Sequence, residues 1–280
     1  TATCPQKNRT ICDRQMRPGG KSATGHACPL VPGRPGGFFH LACGNLPHPR
    51  RDCLARREIQ VAVIDLDRQL QELRKEFART APAGRVALYE SRIEELRSTF
   101  ARHAALKEGD RAPDFSLPDA QGGTVSLSAA LKQGPVVVTF YRGGWCPYCN
   151  LQLRSYQALL PELASFGASM LAISPQLPDA SLSTAEREAL TFNVLSDLGN
   201  DVARQFGLVY PLPQELRDAL SSSNKALPSI NGDASWELPV PATYVITPNQ
   251  RISLAFIEVD YRQRLAPQRL LAALQEQAVT

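Results

Sequence analysis

Two cysteines stand three residues apart, Cys146 and Cys149, inside the stretch Phe140-Tyr141-Arg142-Gly143-Gly144-Trp145-Cys146-Pro147-Tyr148-Cys149. That spacing suits a dithiol that cycles to a disulfide, or half of a zinc site. A structural zinc needs four ligands, and no second pair or nearby histidine completes the set. Thiolate is the reactive form, and it is favoured where a helix begins, because unpaired backbone N–H groups and a partial positive charge gather there. The neighbouring sequence provides that setting. Val136-Val137-Val138-Thr139 is a β-branched run that predicts a buried strand. Asn150 to Phe166 predicts a helix, with Leu151, Tyr156, Leu159, Leu160 and Leu163 as its apolar positions. Pro147 falls in the first turn, where its missing N–H has no partner to lose. Arg142 is a candidate for tuning the thiol, and Trp145 for touching a substrate. Trp145 and Tyr141 also fit as plain core aromatics.

These elements need a body to hold them, and 280 residues suffice for one large domain with appendages. The formal net charge is +4, and much of the excess falls in the first sixty residues, which does not argue for nucleic-acid binding. No apolar run approaches the ~20 residues of a membrane helix. No basic start precedes an apolar stretch of roughly 7–15 residues, as a secretory signal would require. Cys4, Cys12, Cys28, Cys43 and Cys53 crowd the first fifth of the chain, and Cys146 and Cys149 are the only others. The main body has no spare cysteine for a structural bridge, which suits a reducing cytoplasm.

Residues 1–57 are rich in Pro, Gly and Arg and show no sustained apolar period. Such a stretch cannot bury enough surface to offset chain entropy, so a disordered extension is expected. A zinc module using its cysteines with His26, His40 and His48 lacks the short Cys-x₂₋₄-Cys or His-x₃₋₅-His intervals of common sites. An over-extended gene start is a further reading, with the natural protein beginning near Val61 to Leu66. A helical hairpin is expected over 58–106. Leu66, Leu70, Leu73 and Phe77 form one stripe, and Val86, Tyr89, Ile93, Leu96 and Phe100 the other, with Ala81-Pro82-Ala83-Gly84 between them. The plain expectation is that both stripes pack on the main domain; the functional one is a partner-binding arm or a homodimer contact. His103 is expected to sit near the end of the second helix as a charge partner.

The main domain runs over 107–280. Short strands are expected at Phe115 to Leu117 and Thr124 to Leu127, with Ser128 capping a short helix. After the dithiol and its helix come a strand at Ser169 to Ser174, a helix at Thr184 to Leu190 and a strand at Asn193 to Leu195. A helix at Asn200 to Phe206 follows. The stretch from Tyr210 to Pro239 reads as irregular around a helix at Gln214 to Leu220. Thr243 to Thr247 and Ile252 to Glu258 predict a hairpin, and Pro267 to Gln275 a last helix. Asp114 and Asp197 read as cap or turn residues and Trp236 as local packing. The alternation indicates an α/β fold, a mixed sheet covered on both faces.

This order, with Trp-Cys-x-x-Cys after the first long strand, resembles the thioredoxin superfamily. Val240-Pro241-Ala242-Thr243 is similar to its cis-proline loop, which implies that Pro241 and Thr243 lie beside the dithiol. Further motifs narrow the resemblance. They are Gly109-Asp110-Arg111-Ala112-Pro113-Asp114-Phe115-Ser116-Leu117, Leu195-Ser196-Asp197, Phe206-Gly207-Leu208 and Pro241-Ala242-Thr243-Tyr244-Val245-Ile246. With the dithiol stretch and the two preceding helices, they resemble the peroxiredoxin-like branch of the alkyl hydroperoxide reductase/thiol-specific antioxidant family, from about Leu66 to the C-terminus. The resemblance implies a thiol peroxidase acting on hydroperoxides, with no cofactor or metal, regenerated by thioredoxin or by glutathione and glutaredoxin. It departs from the family at three places. With Cys149 as the peroxide-attacking cysteine, Arg142 takes the family's proline position and Cys146 its Thr/Ser position. The place of the distant family arginine is held by Pro241. Two assignments stay open. Thioredoxin logic makes Cys146 the attacking thiolate and Cys149 the resolving thiol, and the peroxiredoxin alignment reverses them. Both end in a Cys146–Cys149 disulfide. Two other functions fit the same residues: a thiol-disulfide oxidoreductase acting on protein or small disulfides, and a redox-sensing interaction module.

Overall fold

The β-branched run and the helix after it organise the whole molecule. The computed structural model describes residues 66–278. Helices α1 (66–80) and α2 (Arg85–Thr99) come first. Short strands β1 (Ser116–Pro118) and β2 (Thr124–Ser126) precede α3 (Leu127–Leu131), β3 (Val136–Phe140), α4 (Pro147–Gln157) and α5 (Leu160–Ser165). Next are β4 (Ser169–Ser174), α6 (Pro178–Arg187), β5 (Asn193–Ser196), α7 (Asp201–Gln205), β6 (Val209–Pro211), α8 (Gln214–Ser221) and α9 (Leu227–Asn231). The chain closes with β7 (Glu237–Pro239), β8 (Ala242–Ile246), β9 (Ile252–Ile257) and α10 (Pro267–Ala278). The expected N-terminal extension over 1–57, with its cysteines and histidines, and the first residues of the helical pair lie outside the described residues.

The main sheet has the order β5-β4-β3-β8-β9. β3, β4 and β5 run parallel, and β8 and β9 are antiparallel to their neighbours. This is the mixed α/β, thioredoxin-like arrangement. β3 is central and every residue in it is buried, as β-branched side chains between two covered faces should be. Its side chains alternate between two cores. Val136, Val138 and Phe140 join a cluster with Phe206 and Tyr244, while Val137 joins α4, α5 and α10 on the other face. The Phe140 and Phe206 rings are 4.9 Å apart and tilted. Fully burying each such side chain stabilises by about 1.5–3 kcal/mol.

Several local expectations shift. The single helix expected to Phe166 is two, α4 and α5, because Pro161 has no N–H to donate and its ring would meet the carbonyl of Gln157. The helix expected from Thr184 begins earlier, at Pro178, a residue suited to a first turn. Ser126 rather than Ser128 caps α3, its hydroxyl accepting Ala129 N–H. The expected irregular stretch contains an antiparallel pair, β6 with β7, which brackets α8 and α9. His103 lies beyond α2, exposed on a short turn over Arg102–Ala104. Asp114 and Asp197 accept backbone N–H groups, from Ser128 and from Val202 and Ala203. Trp236 packs beside Leu212, Leu227 and Leu238.

The two helices form a hairpin. Phe77 on α1 stacks on Tyr89 of α2 at 5.4 Å, and Arg74 pairs with Glu90. Leu66 and Leu70 of α1 enter the core that also holds Tyr148 and Leu153 of α4. Helix α2 is tied to α8 by Arg92–Glu215 and by Arg85, which donates to the carbonyl of Ala219.

Candidate active site

The dithiol sits where β3 delivers the chain to α4. Cys146 is the N-cap residue of α4, with extended backbone angles, and Pro147 follows in the first turn. The amide N–H groups of Cys149 and Asn150 both point to the Cys146 carbonyl. The loop before it needs its glycines. A Cβ on Gly143, whose φ is +136°, would fall 2.4 Å from the indole nitrogen of Trp145. One on Gly144 would fall 2.0 Å from the Thr184 hydroxyl. The Gly144 backbone is held from both sides: its N–H donates to Gln176 Oε1 at 2.6 Å, and its carbonyl accepts from Asn150 and Arg187 at 2.9 and 2.8 Å.

Two guanidinium groups flank the sulfurs. Arg142 Nη1 lies 4.0 Å from Cys146 Sγ, and Arg264 Nη2 lies 3.3 Å from Cys149 Sγ. Both arginines are 6% exposed. Among the described residues neither forms an ion pair with a carboxylate. Arg142 is clasped by aromatic rings, 4.0 Å from the centre of Tyr261 and 4.9 Å from that of Trp145. Tyr261 also meets Tyr148 edge to face at 5.6 Å.

The two thiols are driven apart. Burial alone raises the Cys146 thiol, but the hydrogen bond from Cys149 and the charges of Arg142 and Arg264 outweigh it and hold it well below the ordinary thiol range. Burial, the hydrogen bond it gives to Cys146 and the charge of that sulfur push Cys149 well above that range. The nearer arginine is the one at Cys149, and two facts of geometry set Cys146 apart. Cys146 occupies the helix N-terminus, and it alone of the pair opens onto a cavity.

That cavity, of about 770 Å³, lies between α2 and the dithiol loop. Ile93, Leu96 and Tyr89 of α2 form one wall, Tyr210 and Leu216 another, and Arg142, Trp145, Cys146 and Tyr261 the inner end. Arg142 Nε and Trp145 Nε1 are buried there without a hydrogen-bond partner.

Of the residues singled out from sequence, Cys146, Cys149, Arg142 and Trp145 come together. Thr243 and Pro241 lie on β8 and at its entry, where the register sets Thr243 opposite Thr139 and Ala242 opposite Phe140 of β3. Thr243 is buried on β8, bonded to Thr139 at 3.0 Å and to Gln152 of α4 at 3.3 Å, so it ties helix to sheet. Pro241 is buried at the entry to β8, its carbonyl accepting Glu258 N–H at 3.3 Å. Neither lines the cavity. A second arginine, Arg264, lies against the Cys149 sulfur from 115 positions further along the chain. Sequence reasoning passed over Arg264 and Tyr261, which lie between β9 and α10. The only local signal was Tyr261-Arg262-Gln263-Arg264 ahead of an apolar helix. Among the described residues no group of three or more His, Cys, Asp or Glu is placed to hold a metal ion. No helix there is long and apolar enough to cross a membrane.

The chain is similar to known proteins of one family. Residues 108–255 match the model of the AhpC/TSA family. Peroxiredoxin Bcp of Escherichia coli strain K12 is 40% identical over 103 residues, covering 37% of this chain and 65% of the relative. A putative peroxiredoxin of Mycobacterium tuberculosis is 36% identical over 103 residues, covering 37% and 67%. The chain thus spans just under two thirds of the length of the first of these curated relatives. Among solved structures, peroxidoxin BcpB from Mycobacterium tuberculosis superposes with a TM-score of 0.49 at 26% identity, covering 61% of this chain and 97% of that one. A mutant of Xylella fastidiosa PrxQ gives 0.49 at 18% identity, covering 62% and 98%. The matched residues include the dithiol and Arg142, but not α1, α2, Tyr261 or Arg264.

Proposed function

Since the chain belongs to the AhpC/TSA family, we propose that it is a thiol peroxidase in which Cys146 attacks the hydroperoxide. The observation that carries this is the setting of Cys146. It is the helix N-cap, its thiol is held low by the Cys149 hydrogen bond and by two buried guanidiniums that lack carboxylates, and it lines the cavity. The thiolate of Cys146 attacks the terminal peroxide oxygen. The O–O bond breaks, Cys146 becomes a sulfenic acid, and the alkoxide leaves as alcohol after taking a proton. Cys149, kept as a thiol, then attacks the sulfenic sulfur and water leaves as the Cys146–Cys149 disulfide forms. Arg142 stabilises the thiolate and the leaving oxygen; Trp145 holds Arg142 in place; Arg264 steadies charge at Cys149 during resolution. Thr243 positions α4 against β8. An external dithiol, thioredoxin or the glutathione and glutaredoxin pair, returns the disulfide to the reduced state, as a reducing cytoplasm would allow.

Turnover tests this. Reduced protein should consume cumene hydroperoxide catalytically with dithiothreitol or thioredoxin as donor. Mass spectrometry after one equivalent of peroxide should find a Cys146–Cys149 disulfide. Stoichiometric oxidation with no turnover, or a disulfide absent from the product, would defeat the reading. A second reading is favoured by the helix-capping cysteine itself. A disulfide substrate attacked by Cys146 gives a mixed disulfide that Cys149 resolves in the same way. Brisk reduction of a disulfide substrate beside slow peroxide turnover would select it.

A further inference from the structure

The inner end of the cavity carries more positive charge than negative. The reduced site holds two guanidiniums, Arg142 and Arg264, and one thiolate. Oxidation of the pair, Cys146–S⁻ plus Cys149–SH to the disulfide with release of one proton and two electrons, removes that single negative charge. Two buried cations then face no counter-ion, a costly arrangement in a low-dielectric interior. The rest of the wall does not supply one. Arg85, Arg217 and Lys225 also line the cavity, and its single lining carboxylate, Glu95, is bonded to Arg92. Arg85 and Arg217 give hydrogen bonds to the carbonyls of Ala219 and Leu212.

Beyond Arg142 the wall combines an apolar stripe with Arg85, Arg92, Glu95, Arg217 and Lys225. Ile93, Leu96 and Phe100 of α2 and its C-terminal end face Leu216 and Leu220 across the space. At about 770 Å³ the cavity lies within the roughly 300–1,000 Å³ of small-molecule sites, which combine apolar walls with a few placed polar groups. At its inner end Arg142 Nε and Trp145 Nε1 are buried without a partner.

We infer that this cavity binds an amphiphilic monoanion, a long-chain aliphatic carboxylate, with its head at Arg142 and its chain along α2. The inference rests on the proposed thiolate at Cys146 for one of its features: the anion binds the disulfide form more tightly than the reduced form, because the thiolate no longer competes for Arg142. Linkage makes the effect reciprocal, so the bound carboxylate stabilises the disulfide against reduction. A product or bystander acid of this kind would slow regeneration of the oxidised enzyme.

The test is calorimetric titration of the full chain with sub-micellar dodecanoate, in the reduced and the disulfide forms, against dodecanol and butanoate as comparators. Dodecanoate is expected to bind the disulfide form about tenfold more tightly than the reduced form, and dodecanol and butanoate to bind that form at least about tenfold more weakly than dodecanoate does. At saturating dodecanoate the midpoint potential of the dithiol should fall by about 30 mV, the equivalent of a tenfold change for a two-electron couple. Leu96→Trp should abolish binding by filling the wall, and Arg142→Met should make dodecanoate and dodecanol equivalent. Absence of dodecanoate binding, equal binding of the alcohol in the wild-type protein, or equal affinity for the two redox forms would each overturn the inference. Peroxide turnover is measured separately. Failure of turnover with redox-linked dodecanoate binding intact would count against the peroxidase and not against the site.

Discussion

Helix α1 turns Leu66 and Leu70 into the core beside α4, where they are 1% and 6% exposed, while on α2 only Ile93 is buried. The two stripes are alike in the sequence. One packs against α4 and the sheet-side core; the other roofs a space of about 770 Å³ that ends at Cys146. The difference lies in what each helix meets. α1 meets the side chains of α4 directly. α2 is held at a distance by polar struts at its edges: Arg85 to Ala219, Arg92 to Glu215, and Glu90 to Arg262. An apolar period states which face turns inward. It does not state whether the space behind that face is filled.

This contrast predicts unequal costs. Leu70→Ala should destabilise by about 2–5 kcal/mol in urea unfolding, because it opens a void in a packed core. Leu96→Ala should cost below about 1 kcal/mol, since space is already present beside it. Equal costs would mean that α2 is packed as α1 is.

At the inner end of the cavity, Arg142→Met should raise the Cys146 thiol pKa, read from the pH dependence of alkylation. In the wild-type protein the rate should hold level as pH falls through the ordinary thiol range and drop only well below it. The sign follows from the depressed thiol: the thiolate persists until the pH falls through the lowered value. An unchanged profile in Arg142→Met would remove Arg142 from the thiolate's support.

The smallest effect concerns the strut. The Arg262 hydrogen bond holds Glu90 below the ordinary carboxylate range. For Asp260 burial acts upward, but bonds to Arg262 outweigh it and the net direction is downward. Groups so depressed contribute stability that is present above the ordinary carboxylate value and lost as pH falls through the folded value. Glu90→Gln should therefore weaken the acid dependence of unfolding, by less than about 1 kcal/mol because its side chain is 42% exposed. The same substitution should leave the pH profile of Cys146 unmoved.

What the sequence made legible was local. The Val136–Thr139 run, the cysteine pair at a helix start and the β8–β9 hairpin follow from patterns within a few residues, and the sheet is built on them. The split between α4 and α5 is also written there, in Pro161, set against an apolar period that runs through it. The cap at Ser126 was missed by two residues because two serines flank Leu127 and either hydroxyl suits the position. The second guanidinium was not legible at all. Arg264 reaches Cys149 across 115 positions, and nothing near it in sequence marks it as a partner of sulfur. The cavity is equally non-local, since its walls come from α2, the dithiol loop, the β6–α8 region and the segment after β9.

The central claim is that Cys146, not Cys149, is the thiolate that meets the oxidant. It is tested most directly by stopped-flow tryptophan fluorescence of reduced wild type, Cys146→Ser and Cys149→Ser mixed with hydroperoxide. The account predicts a rapid second-order phase that survives in Cys149→Ser, where it ends at the sulfenic acid, and is absent from Cys146→Ser. A rapid phase that persists in Cys146→Ser and vanishes in Cys149→Ser would contradict it and move the attacking sulfur to Cys149.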